Sequence, residues 1–468
     1  MQDTVSSPAT VRQAASPRSA RLALLATTFI ATFALRVWGV TTYNLVLRDQ
    51  YRDWEIVQGT FGSLPLLGPA THVGGYTIGP GFYWILWIIR VVFGPWFEYL
   101  PHAGGIGQAA LQSAVDVLLL AAIWKRTGSV WPALATVTLV ATSAFDLSFA
   151  ATIWNPVVGS VLAKCAIALV LLDWHRREWW RAGLTMGVAW LGVHAYTGAI
   201  YVAAAVGLAI VVEPLMRRAW ADAVRRAAIG LGTIALLQVP YVWFQVSTQF
   251  RNAAMGAVTG SVGQIVTGRA APELGKSGEG LVRAFREIQD LPYVAPLLPA
   301  ILVLSSLVVA WRFRRDPALV LMTVGPTVLA LVGYSLFLGA LDSYYYLSMM
   351  TPMVLTVVLA VTAGWTPAVS RGLGVALCAV ALVLVPGRFV RSTTMNRMPQ
   401  YAPLVKGSRL LAHRRMPLRA VRTTFGLPPT GDPEFIYRLL GGRIERTAAW
   451  MAVIDENGDV TYQEVGGA

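Results

Sequence analysis

Residues 44–65 read "NLVLRDQYRDWEIVQGTFGSLP", and the centre of this stretch, "RDQYRDWE" (48–55), carries five charges in eight residues. Charged residues make up only 13% of the chain, so the cluster stands out. It follows an apolar run over 21–42 and precedes a second apolar, aromatic run, "IGPGFYWILWIIRVVFGPWF", over 78–97. Polar groups bunched between two greasy segments mark the edge of a bilayer. Which edge they mark decides the topology of everything downstream.

Composition supports the membrane reading. Of the 468 residues 55% are hydrophobic, against about 45–50% apolar and about 25% charged in ordinary soluble domains. The net charge of +14 does not point to nucleic acid. Most Lys and Arg fall in short connections between apolar runs, where cytoplasmic loops concentrate them. Cys165 and Cys378 both lie inside apolar segments, which excludes a disulfide framework or a cysteine zinc site. Residues 1–20, rich in Ser, Ala and Arg with two prolines, read as a disordered cytoplasmic tail. The apolar character that follows continues past Arg36, so the segment reads as a retained signal-anchor rather than a cleaved leader.

A crossing needs about 20 apolar residues. Spans are expected at 21–42, 104–124, 129–147, 156–173, 181–194, 197–213, 227–246, 293–311, 317–338, 345–364 and 372–387. With the N-terminus inside, Lys125/Arg126, Arg176/Arg177/Arg181, Arg217/Arg218/Arg225/Arg226, Arg312/Arg314/Arg315 and Arg371 all fall on the cytoplasmic side. Counting 78–97 as a crossing would invert every later loop, so it reads as an interfacial helix on the outer leaflet. The expected fold is therefore an α-helical polytopic membrane protein of about eleven crossings, a 21–387 membrane module. External loops at 43–103 and 247–292 carry interfacial helices, the second through "EGLVRAFREIQDL" with Leu281, Phe285, Ile288 and Leu291 at helical spacing. Residues 388–468 form a small external α/β piece, in which "AAWMAVIDENGDVTYQEV" predicts two strands about a Glu-Asn-Gly-Asp turn.

Asp49 lies just beyond the first span, where a carboxylate facing a water-filled cavity can act as general base towards an acceptor hydroxyl. The competing reading is a solvated acid paired with Arg48 or Arg52. Asp53 and Glu55 read as the polar face of a short interfacial helix. Asp146 ends the third span on the same side, as a second acid, a divalent-cation ligand or a helix cap. His194, in "GVHAYTG", and His72, in "ATHVGGY", can meet a lipid phosphate; His194 equally fits a packed, hydrogen-bonded residue. Arg36 snorkels or holds a phosphate. Asp116 and Lys164 lie within the hydrocarbon, where ionisable groups are costly unless paired, and they read as a structural ion pair. Metal dependence is open, a divalent cation included.

The acidic motif beyond a first N-in helix, followed by a long external loop, resembles the type C glycosyltransferases. Within them the chain is most similar to the polyprenyl-phosphate-sugar group, which contains protein mannosyltransferases and lipid A aminoarabinose transferases. There the loop reads approximately Asp-Glu-x-x-Tyr, then "GDW…P" and "KPPLYYWL". Here Asp49 matches the acidic position and "GFYWIL", with Tyr83, the aromatic helix. "FAATIWNPVVGSVLAK" resembles the "DxP" entry to the fourth span with Asn155 in place of Asp, and "GLTMGVAWLGVHAYTG" resembles "GLAFLTKGP" with His194 at the Lys. "DSYYYLSMMTPMVL" resembles the late "YLLPLLPALALL" helix. The second acid is Gln50, and the other lysine is replaced at Ile78 or Gly79.

The resemblance covers roughly 20–365. It implies inverting transfer of a sugar from a polyprenyl-phosphate donor to an envelope glycan, lipid or protein on the outer face of the bacterial inner membrane. Asp49 would be the base, and His194, Arg36, His72 and Tyr83 would lie at the donor. A lipid-linked-sugar flippase or transporter, or a catalytically degenerate envelope-assembly protein, are the alternatives. Two long polar external segments and the lack of a visible internal repeat weigh against a transporter.

Overall fold

The computed structural model describes residues 17–38, 48–71, 75–251, 254–290, 295–395, 401–427 and 432–465. The chain is mostly helical. In order the helices are α1 (Pro17–Val37), α2 (Arg48–Ile56), α3 (Gly81–Phe93), α4 (Leu100–Thr127), α5 (Val130–Ala141), α6 (Ala144–Phe149) and α7 (Asn155–Leu171). Then come α8 (Trp174–Arg177), α9 (Trp179–Ala195), α10 (Ile200–Met216), α11 (Trp220–Ser247), α12 (Ala254–Val266) and α13 (Leu274–Gln289). The last are α14 (Leu298–Arg312), α15 (Pro317–Ser335), α16 (Met350–Thr362), α17 (Pro367–Met395), α18 (Tyr401–His413) and α19 (Pro433–Leu439).

Every expected span overlies a helix. Seven helices are long and apolar enough to cross a membrane, beginning at Arg18, Leu100, Thr197, Trp220, Pro317, Ser343 and Pro367. The remaining spans fall on α5, α7, α9 and α14, of 12, 17, 17 and 15 residues. The aromatic run at 78–97 yields the 13-residue α3 and a 3-10 turn over Gly94–Trp96, together about 25 Å at 1.5 and 2.0 Å per residue and short of the roughly 30 Å hydrocarbon core. It buries Phe82, Tyr83, Leu86 and Ile89 and leaves Ile88, Val91, Val92 and Trp96 exposed.

One end of the bundle gathers the arginines. There Arg126 pairs with Asp173 and Asp316, and Arg176 with Asp173 and Glu213. Elsewhere α13 packs on α6, the helix that carries Asp146, and α3 packs on α2 and α4. The segment 247–292 is richer in structure than its polarity suggested, with α12 preceding α13. The apolar stripe of α13 (Leu281, Ala284, Phe285 and Ile288) enters the main core rather than lying on the surface; Leu291 falls outside the described residues.

α17 runs on to Met395, past the break expected at 388. Strands β1 (Ala420–Thr423), β2 (Trp450–Ile454) and β3 (Val460–Glu464) form a sheet in the order β1-β2-β3. The expected hairpin is β2–β3, antiparallel with Ile454 opposite Val460, its turn held by Asp455 accepting from the Asn457 and Asp459 amides. β1 adds in parallel to β2. The sheet and α18–α19 share one hydrophobic core with the first loop. Leu404, Leu418, Ile436 and Ile454 belong to the same cluster as Tyr51, Trp54, Phe82 and Leu86.

Candidate active site

α2 presents its chemistry through helical spacing. Residues 49, 52 and 53 share one face, being three and four apart. Arg52 bridges the two acids, with Nη1 3.4 Å from Asp49 Oδ1, and Nη2 and Nε 2.9 and 3.1 Å from Asp53 Oδ1. Asp49 is 66% exposed, whereas the Asp53 side chain is 4% exposed. Asp53 is therefore not on a polar face. The amphipathic helix turns it inward because the Tyr83 hydroxyl, 3.0 Å away on α3, donates to it. Burial pushes the Asp53 carboxyl up to about 6, against the opposing pull of Arg52 and the Tyr83 hydrogen bond. Burial and the neighbouring Asp53 raise the Tyr83 hydroxyl well above its ordinary range, so it stays a donor.

The platform under this face is built by α3 and α4. Arg90 donates to the carbonyls of Val57 and Gly59 at 2.7 and 2.8 Å, capping the C-terminal end of α2 where a cation complements the helix dipole. Trp87 Nε1 donates to Gly59 O at 3.2 Å. Trp54 packs where Gly104 of α4 has no side chain, and any Cβ there would overlap its ring.

His194, at the C-terminal end of α9, is fully buried against the segment that leads into α3. A Cβ at Gly79 would overlap its imidazole, and one at Gly81 would stand 2.9 Å from its Cβ. Thr77 Oγ1 donates to His194 O at 3.1 Å, and the Gln238 amide lies 3.1 Å from Nε2. With that amide donating, the ring proton sits on Nδ1, which has no hydrogen-bond partner among the described residues. His72 lies outside the described residues.

Arg36, Asp116, Asp146 and Lys164 form one buried ionic network. Arg36 donates from Nε to Asp146 at 2.9 Å, from Nη1 to Ser113 at 2.8 Å and from Nη2 to Asp116 at 2.5 Å. Lys164 holds the other oxygen of Asp116, and Gln112 donates to Asp146. Arg36 is thus committed to two carboxylates rather than turned to the loop cavity, because two buried acids need a cation closer than any lipid phosphate. Asp146 is Arg36's partner, with Ser143 Oγ accepting from its backbone amide at 3.1 Å. Among the described residues no group of three or more His, Cys, Asp or Glu is placed to hold a metal ion.

Sequence reasoning passed over Asp53 as buried acid and named Arg52 only as a pairing partner. The i, i+3, i+4 spacing was the available signal. Arg388 carried less signal, as one arginine ending a greasy span. It is buried, and its guanidinium donates to Thr142 O at 2.7 Å and to Gln289 O. It thereby caps the C-terminal ends of α5 and α13 together.

The fold these elements build has a counterpart among solved structures. ArnT from Cupriavidus metallidurans in its apo state superposes with a TM-score of 0.52 at 16% identity, over 90% of this chain and 85% of that one. The same protein bound to undecaprenyl phosphate gives a TM-score of 0.49 at 14% identity, over 90% and 84%. An oligosaccharyltransferase from Archaeoglobus fulgidus, in complex with zinc and sulfate, gives 0.48 at 14% identity, over 83% of this chain and 55% of that one. At such identities the likeness is one of fold. No protein-family model and no curated protein matches the sequence.

Proposed function

We propose that the protein is a membrane glycosyltransferase that moves a sugar from a polyprenyl-phosphate donor to an acceptor hydroxyl of an envelope glycan, lipid or protein. The reading has eleven crossings, α5 and α6 together making the third, with the N-terminus and the arginine end cytoplasmic. The reaction then takes place on the outer face of the bacterial inner membrane. The observation that carries it is the division of labour on α2. Asp49 is open to an acceptor, while Asp53 and Tyr83 are spent on fixing Arg52 next to it.

In this mechanism Asp49 takes the proton from the acceptor hydroxyl as its oxygen attacks the anomeric carbon. The bond from that carbon to the donor phosphate oxygen breaks with inversion, and the lipid phosphate leaves with the electron pair. Arg52, 3.4 Å from Asp49, holds that carboxylate towards the acceptor. His194 Nδ1–H, which has no acceptor among the described residues, supplies a hydrogen-bond donor for the leaving phosphate.

The test is transfer by the full chain in nanodiscs, supplied with a series of polyprenyl-phosphate sugars and envelope extract as acceptor. Asp49→Asn is expected to fold normally and lose transfer by about 10²–10⁴-fold, the usual range for a general base. Full transfer by Asp49→Asn would sink the mechanism.

A further inference from the structure

The end of the bundle that gathers the arginines has a corner where charge is left unbalanced. α9 and α11 pack together there. A Cβ at Gly183 would stand 2.8 Å from Ile229, one at Gly187 would stand 3.2 Å from Thr233, and His194 meets Gln238. That rising register makes the two helices parallel and sets their N-terminal ends side by side. Neither end is capped by a side chain: Glu178 makes no cap bond, and Ala219 has no acceptor to offer. The first-turn amides of both helices therefore bring partial positive charge to one spot. The carboxylates around it are committed, Asp222 to Arg226 at 2.9 Å, Glu213 to Arg217 at 2.6 Å and Glu178 to Arg181 at 3.4 Å. Arg177, Arg218 and Arg225 are exposed and pair with no carboxylate among the described residues.

Arg218 carries the clearest signal. It follows α10 in the left-handed region at φ 58°, with its amide bonded to Leu215 O at 2.9 Å and the next amide to Pro214 O at 2.8 Å. Glycine is the usual residue of such a helix-ending turn, so a guanidinium is kept where the backbone would be easier without a side chain. Tryptophans frame the same corner. Arg225 lies over Trp179 at 5.3 Å, and Arg181 lies over both Trp174 and Trp180 at 5.3 and 5.1 Å. Trp179, Trp180 and Trp220 stay exposed, and further along the two helices Leu184, Val224 and Leu231 present apolar surface. Indole rings of this kind sit at headgroup depth, one side apolar and one wet. Unpaired guanidiniums and uncapped amides above an apolar wall match an anion that carries acyl chains. The basic turn after α14 lacks this arrangement. Arg314 and Arg315 are exposed there too, but the next helix, α15, is capped by Asp316, which accepts from the Leu319 amide at 3.1 Å.

We propose that this corner seats the headgroup of an anionic phospholipid, its phosphodiester held by Arg177, Arg218, Arg225 and the two helix ends, its acyl chains lying along α9 and α11. With the arginine end cytoplasmic it is an inner-leaflet site, and it goes beyond the transferase reading without resting on it. The test is native mass spectrometry of the full chain in detergent, titrated with phosphatidylglycerol and phosphatidylethanolamine of matched acyl chains. Wild type is expected to retain phosphatidylglycerol more tightly than phosphatidylethanolamine. Arg218→Gly and Arg225→Gln should each weaken phosphatidylglycerol binding about fivefold, the worth of one arginine at an anionic surface. Arg218→Gly should melt no lower than wild type, because glycine relieves the turn; Arg225→Gln reads the same binding without touching that turn. Arg314→Gln/Arg315→Gln should leave retention unchanged. So should Asp49→Asn while transfer is lost, which keeps failure of this site separate from failure of the mechanism. Equal retention of the two lipids, wild-type affinity in Arg225→Gln, or an equal loss in Arg314→Gln/Arg315→Gln would each overturn the assignment, the last by reducing it to general attraction towards a basic face.

Discussion

Asp53 stands one helical turn from Asp49, and burial raises its proton affinity. Ionised Asp53 is what grips Arg52, so Arg52 is held best above the Asp53 pKa of about 6. Transfer is therefore expected to rise with pH through a limb near 6 that Asp53→Asn abolishes, a result readable from kcat/KM profiles. The sign for stability is the opposite. A carboxyl raised from 3.8 to about 6 in the folded state binds its proton more tightly there than in the unfolded chain. No penalty exists below 3.8, it grows as pH rises towards 6, and above 6 it reaches about 3 kcal/mol. The same group should thus make the protein less stable and more active as pH climbs through one window. Melting curves and rates on one sample series check both, and an unshifted limb in Asp53→Asn would leave Asp53 with no part in holding Arg52.

Between elements, the firmest tie is the ionic network, because it joins α1, α4, α6 and α7 away from solvent. Breaking a buried pair by removing one partner leaves an uncompensated charge and costs about 3–5 kcal/mol. Arg36→Met is expected to destabilise by that amount in chemical unfolding of the detergent-solubilised chain. The double variant Arg36→Met/Asp116→Asn should recover part of the loss. A loss under about 1 kcal/mol, the scale of an exposed pair, would show that the network is hydrated. This network also shows what the sequence could and could not tell. Asp116 and Lys164 announced a pair because each was a lone charge inside a greasy run. Nothing local joined them to Arg36, which lies 80 residues before Asp116 and 110 before Asp146; only helix packing does so. In the same way the charge alternation of 48–55 foretold a helix, but which acid faces inward depends on Tyr83, 30 residues from Asp53.

At the scale of the whole molecule, the C-terminal segment is part of the loop it covers. Tyr51 of α2 stacks on Phe435 of α19 with centroids 5.6 Å apart, and Glu55 pairs with Arg438 at 3.2 Å. Glu98, just before α4, holds Arg409 and His413 of α18 at 2.6 and 3.1 Å. The surface ion pairs contribute little on their own. The shared apolar core stabilises the contact more, at about 25 cal/mol per Å² removed from water. A nine-residue α2 is too short to persist by itself, since isolated helices below about 12–15 residues are marginal in water. Ending the chain after Met395 should therefore unfold α2 without dissolving the bundle. In hydrogen exchange, residues 48–64 should lose protection while α4, α7, α10 and α15 keep theirs, and transfer should fall with the loop. Phe435→Ala should do the same in part, raising exchange at Tyr51 and its neighbours only. Protection of 48–64 that survives the truncation would make the C-terminal segment an independent domain, and the acidic cluster would then owe its shape to α3 and α4 alone.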